Sequence, residues 1–280
     1  MGALLTTIVL STFVAVFSSI LAVMLAWITA RTDTPGRSIL VNLIVIPTFL
    51  SPLVGATGWF VLGANQSGLI NVYYRQLTGS AEPLFNIASF GGMGWVMVLF
   101  FTPIAYLYVV SSFRSVDATL EEAARLAGAK GWQVLFGVTI PAVTPAILTG
   151  AIMVWVASAE MFSIPGMLLG PGEIEPLAYK IFLNGRTYPP NHPMAAAAGM
   201  LLILITILML YLYRRITRLE GKFVTMSGKG GRPKITRLGR WRFVTAGFAW
   251  LYIGLSVILP YIALTIGSFQ GFLGAPVSLQ

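Results

Sequence analysis

The feature that most restricts what this chain can become is a stretch with nothing charged in it. Residues 4–30 run 27 positions without an acidic or basic side chain. A helix rising 1.5 Å per residue needs only about 20 such positions to cross a hydrocarbon layer of about 30 Å. No water reaches the backbone in that layer, so the segment must satisfy its own hydrogen bonds as a helix. Uncharged apolar stretches return at 39–62, 92–110, 142–159, 194–213 and 243–266. Charged residues make up 10% of the chain, against roughly 25% in an ordinary soluble domain, and the mean hydropathy is +0.82. The pattern predicts an all-α, polytopic membrane helix bundle with about six transmembrane helices.

The spans differ in detail. No basic residue precedes residues 4–30 and no small-residue cleavage site follows, so a removable signal peptide is not expected. Span 39–62 contains Pro47, Pro52, Gly55 and Gly58, breakers that a membrane helix tolerates when neighbours satisfy the freed backbone. It is expected to be kinked and packed inside. The more polar stretch 65–91 is expected to hold a short interfacial helix at 69–77, and the Gly/Pro-rich loop 161–193 another at 175–182. Small residues Ala195 to Ala198 suit close helix packing in the fifth span.

Charge gives an orientation. Ten of the 18 Lys and Arg lie at 214–242. With Arg31, Arg37, Arg114, Arg125 and Lys130 they put 15 of 18 on one side, leaving Arg75, Lys180 and Arg186 opposite. The richer side is expected to be cytoplasmic and the amino terminus periplasmic. This one-sided distribution fits topology and anionic lipid rather than nucleic acid, which is not expected as a partner. The chain has no cysteine and one histidine, His192, so no metal site and no cofactor is expected.

Between the third and fourth spans lies the one long amphipathic stretch, 115–141. Asp117 is placed to cap a helix whose first turns hold Glu121 and Glu122 near the positive end of its dipole. Val116, Leu120, Ala123, Ala124 and Ala127 recur at helical spacing as one apolar stripe, and Glu121 and Arg125 are expected to pair on the opposite face. Gly128 permits a reversal, and a second short helix from about Gly131 is expected to end at Pro141. Such a helix–turn–helix knob suits either a groove on a partner or the bilayer surface.

Glu122-Ala123-Ala124, Gly128, Val138, Ile140 and Pro141 resemble the EAA loop of ABC-importer permeases. The family pattern has Ile where Val138 stands and Leu where Ile140 stands; the spacing is kept. The stretch Ala157 to Gly170 and the linker stretch from Lys222 to Trp241 are similar to the iron(III)-type permeases, which carry two homologous membrane halves. The resemblance implies a type I (MetI-like) importer permease core in which Glu121, Glu122, Ala123, Ala124, Arg125, Gly128 and Pro141 couple to a separate ABC ATPase. It also implies a periplasmic substrate-binding protein, a bacterial inner-membrane location, and iron(III) as cargo, with polyamine, thiamine or phosphonate as alternatives. On this reading residues 1–213 form a permease half, 214–242 a basic cytoplasmic linker, and 243–280 the first helix of an incomplete second half. No second EAA pattern follows Arg242, so the chain is expected to be a fragment, or a natural half that needs a second half or a homodimer partner.

No Gly-x-x-x-x-Gly-Lys-Ser/Thr loop, nucleophile elbow or catalytic carboxylate pair occurs, so the chain is not expected to be an enzyme. Glu160, at the edge of the fourth span, is the substrate-path candidate, because a carboxylate there is costly unless it meets a polar cavity or water. Met153 and Met161 are expected to pack rather than bind metal. An ion-coupled secondary transporter would carry polar sites within several spans near the midplane; these spans have almost none. A mere scaffold would have no need of the EAA spacing.

Overall fold

The computed structural model describes residues 2–80, 82–169, 174–223 and 235–269. Among them the chain is helical, with no strand beyond one isolated bridge between Thr32 and Thr236. The elements are α1 (Ala3–Arg31), α2 (Arg37–Val45), α3 (Pro52–Gly63), α4 (Leu69–Thr78), α5 (Phe90–Ser115), α6 (Ala118–Leu126), α7 (Gly131–Val134), α8 (Ile140–Ala159), α9 (Ser163–Leu168), α10 (Leu177–Arg186), α11 (His192–Phe223), α12 (Trp241–Ile253) and α13 (Leu259–Ser268). Among the described residues five continuous helices are long and apolar enough to cross a membrane, or six if the bent pair of Arg37–Phe49 with Pro52–Gly63 is one span. The short helices expected at 69–77 and 175–182 appear as α4 and α10.

At the centre α1, α5 and α8 pack against one another, with Tyr106, Phe113, Met97 and Leu99 of α5 buried among them. Because α1 carries no charge before Arg31, its hydroxyls make the specific contacts along its length. Ser18 donates to the Val98 carbonyl (3.3 Å), and Thr29 shares a hydrogen bond with Tyr106 (2.9 Å). Trp155 of α8 donates to Thr12 (3.1 Å), and the Leu177 amide of α10 donates to Thr7 (2.8 Å). In hydrocarbon such links orient helices that apolar burial alone would leave free to rotate. Small residues bring the backbones together: a Cβ on Gly150 would stand 3.2 Å from the Cα of Ala105.

The second span is broken rather than kinked. After α2 the chain tightens into a 3₁₀ turn, Ile46–Phe49, and α3 leaves at 95°. Pro47 and Pro52 remove two amide donors around the corner, and Pro52 takes the first turn of α3, where its missing donor costs nothing. α3 is packed inside, as expected, with Ala56 and Trp59 buried.

Nor does Pro141 end a helix. α7 continues into α8 through a π-helical turn, Leu135–Thr139, in which the Ile140 amide donates to the Leu135 carbonyl five residues back. The same device joins α12 to α13: Gly254–Ile258 is π-helical, and the Leu259 amide donates to Gly254 just before Pro260. A widened turn ahead of each proline makes room for the ring, so the first helix continues where a stop at Pro141 was expected and the second crosses Pro260 as the expected span 243–266 required. α11 likewise runs past the expected end at Tyr213, into the basic stretch.

The last helix is a wall of this bundle. Tyr252 donates to the Leu99 carbonyl (2.8 Å), and α13 lies so close to α3 that a Cβ on Gly58 would stand 2.5 Å from the Pro260 carbonyl oxygen. Gly58→Ala should therefore destabilise the fold by about 1–3 kcal/mol, read as a lower thermal midpoint in detergent. Gly137→Ala, with no atom in the way, should leave the midpoint unchanged or slightly raised.

Candidate functional site

The stretch 115–141 forms the anticipated knob. The Asp117 carboxylate accepts from the Thr119 amide (2.9 Å) and caps α6, a bond that holds its pKa below the ordinary value. The cap therefore stays charged at neutral pH and loosens only on acidification. At the other end Gly128 adopts φ 89°, a left-handed conformation that a side chain resists. Around it the Gly128 amide donates to Arg125 and the Ala129 amide to Ala124, both at 3.0 Å. The Gln133 side chain accepts from the Lys130 amide (2.7 Å) and starts α7.

Which face of α6 points inward differs from the expected arrangement. Glu121 does not pair with Arg125 at the surface. It is buried, 5% exposed, and its Oε1 lies 2.9 Å from Nη2 of Arg31, itself 2% exposed at the end of α1. The Thr139 hydroxyl, in the π-helical turn, donates to the same oxygen at 2.8 Å. The apolar residues go outward instead: Leu120, Leu126, Trp132 and Phe136 are 53–90% exposed. They lie with Glu122, Ala123, Arg125 and Gly128, all exposed, while Ala124 is half-buried and Pro141 is exposed at the foot of α8. The physical reason is that Arg31 offers Glu121 a charge partner inside, and a carboxylate so paired can be buried where a hydrated one cannot.

Sequence reasoning missed Arg31 and Thr139. Arg31 stands 90 positions before Glu121, and no local pattern links them. A lone arginine closing a 27-residue uncharged run was the available signal. A returning segment is pinned to the same corner. The Thr236 amide donates to the Arg31 carbonyl (2.8 Å), and the Leu238 amide to the Asp33 carboxylate (2.8 Å). Thr34 and Thr245 share a hydrogen bond of 2.7 Å. Residues 224–234, within the expected linker, lie outside the described residues, as do 270–280.

Glu160 is placed elsewhere. It ends α8, some 28 Å along that helix from Pro141 at the ordinary helical rise, so the knob and Glu160 lie at opposite ends of one span. It is exposed and accepts from Thr206 of α11 (3.2 Å). Among the described residues no group of three or more His, Asp or Glu side chains is arranged to hold a metal ion.

Residues 3–220 match the family described as the binding-protein-dependent transport system inner membrane component. The molybdenum transport system permease protein ModB of Haemophilus influenzae is 30% identical over 173 residues, 59% of this chain and 71% of that protein. The ferric transport system permease protein FbpB of Actinobacillus pleuropneumoniae is 24% identical over 233 residues, which are 82% of this chain but 33% of that longer protein. Among solved structures, a chain of a bacterial alginate ABC transporter, in complex with a periplasmic protein carrying an alginate pentasaccharide, superposes with a TM-score of 0.62. That match has 18% identity and covers 77% of each chain, a likeness of fold.

Removing one partner of a buried ion pair costs about 3–5 kcal/mol, and exposed substitutions stay within about 0.5 kcal/mol. Glu121→Ala should accordingly destabilise strongly and Arg125→Ala hardly at all. A double-mutant cycle read by denaturation should show coupling between Glu121 and Arg31 and none between Glu121 and Arg125.

Proposed function

This multi-pass membrane protein belongs to the family of binding-protein-dependent transport system inner membrane components, an ABC-importer permease, and from that premise we propose that it carries iron(III) across the bacterial inner membrane. The observation behind the mechanism is the knob. In α6, which is not a membrane span, Leu120 and Leu126 turn outward and leave apolar area uncovered, which fits a partner's groove. In this reading the groove belongs to a separate ABC ATPase subunit that supplies the hydrolysis. Glu122, Arg125 and Gly128 meet it, while Glu121 faces the bundle and ties the knob to α1 through Arg31.

ATP binding then moves the knob as a rigid body. The continuous α7–α8 helix carries that motion through the π-helical turn into the membrane, and the cavity alternates between the two sides. The basic side, with Arg31, Arg114 and the knob, faces the cytoplasm, which puts the amino terminus and Glu160 on the periplasmic side. There a binding protein delivers the cargo, and Glu160 is the candidate to meet it. A second permease half or a second copy completes the pathway. Over the most apolar stretch of α11, only 6% of residues are buried in this chain, which leaves that helix for lipid or a partner to cover.

Iron(III) is favoured because the likeness to a ferric permease extends over 82% of the chain. A molybdenum oxyanion is the second reading, favoured by the 30% identity to ModB. Uptake of radiolabelled ferric iron and molybdate by cells carrying the chain with its ATPase and binding protein separates the two; accumulation of molybdate alone would overturn iron. Glu122→Lys and Gly128→Pro should each abolish uptake while leaving membrane insertion intact. Normal uptake in either would remove the knob from the coupling role.

A further inference from the structure

At the end of α1, away from the knob's outer face, a cavity of about 420 Å³ opens among α1, α2, α5 and the returning segment. Arg37 and Arg114 line it together with Ser38, Val41 and Ile235. Among the described residues no carboxylate is in its walls. The acids nearby are committed: Asp33 accepts from the Leu238 amide, and Glu121 is paired with Arg31. Among the described residues neither Arg37 nor Arg114 has a carboxylate within ion-pair distance. Arg37 is instead held by donating to the Thr32 carbonyl at 3.2 Å.

The depth of the cavity is set by the helix ends. Arg31 closes α1 and Arg114 is the last residue but one of α5, so the two arginines stand where the spans leave the hydrocarbon. Two guanidinium groups with a hydroxyl suit a phosphate, because a planar fork of donors matches its oxygens. The apolar flank of Val41 and Ile235 suits a phosphate with hydrocarbon attached. We propose that this cavity is a binding site for the phosphate headgroup of an anionic phospholipid, gripped by Arg37 and Arg114 with Ser38 as a further donor. A site of this kind would anchor the corner where α1, α2 and the returning segment meet. The assignment rests on the spans crossing a bilayer and not on the transport reading.

The test uses the full chain in phosphatidylcholine vesicles containing a photoactivatable phosphatidylglycerol, with cross-links mapped by mass spectrometry. Labelling should fall on residues 29–41 and around Arg114. The double variant Arg37→Gln/Arg114→Gln should lower it by about thirtyfold, in line with roughly 1 kcal/mol for each basic residue at a lipid surface. Arg186→Gln should leave it unchanged, and Arg37→Lys/Arg114→Lys should keep most of it. Labelling elsewhere in the wild type, or equal labelling in the Gln variant, overturns the site. Should the Gln variant not fold, the wild-type cross-link map decides alone. If millimolar glycerol phosphate abolishes the labelling, the occupant is a soluble phosphate and the lipid assignment falls.

Discussion

One buried ion pair holds the membrane part of this protein to the part outside it. Arg31 and Glu121 are both withdrawn from water at the end of α1, an arrangement that is costly to build and costlier to break from one side. On the Glu121 side part of that cost is offset by clustering. Thr139 adds a hydrogen bond to the same carboxylate oxygen, and the Arg31 carbonyl takes the Thr236 amide. Four stretches far apart in the chain, namely the end of α1, α6, the π-helical turn and the returning segment, are thereby fixed to one corner. Displacing α6 must carry α1 and the foot of α8 with it or break the pair.

The bundle solves a second problem, how to bend without losing backbone hydrogen bonds where no water can replace them. Prolines mark the places. At Pro47 and Pro52 the chain turns a corner through a 3₁₀ turn, and at Pro141 and Pro260 it widens into π-helical turns and carries on. The outcome depends on what packs alongside. α3 leaves its corner with neighbours to meet, α13 among them, whereas α7 and α8 have the Glu121–Thr139 contact to keep their turn in line. The corner has two prolines five residues apart with extended backbone at Leu50 and Ser51 between them, whereas Pro141 and Pro260 each follow a single π-helical turn.

Much of the architecture was legible because the bilayer imposes a length and a polarity that a sequence cannot disguise. Uncharged runs predicted where the spans lie, although the fourth helix begins 11 residues earlier than expected and α11 ends ten later, and the knob's cap at Asp117 and reversal at Gly128 follow from local chemistry alone. The face of α6 was not legible. Helical spacing put Glu121 on the wet side beside Arg125, since an apolar stripe of Leu120 and alanines looks like an inner face. Val116 at the start of the stripe is buried, but Leu120, Ala123 and Ala127 point outward because the inner surface offers Arg31, and that arginine reaches α6 only once α1 and α5 are packed.

By itself the sequence determined that the chain is a bundle of membrane helices, which end of each span is richest in positive charge, and where a family-like docking knob begins and reverses. These depend on composition, on spacing and on the conformational range of single residues. The tertiary structure alone decided that Glu121 belongs to the bundle, that Pro141 leaves its helix continuous and that Arg37 and Arg114 share one cavity. Each of these is a contact between segments far apart in the chain, and such contacts exist only when the helices have been brought together.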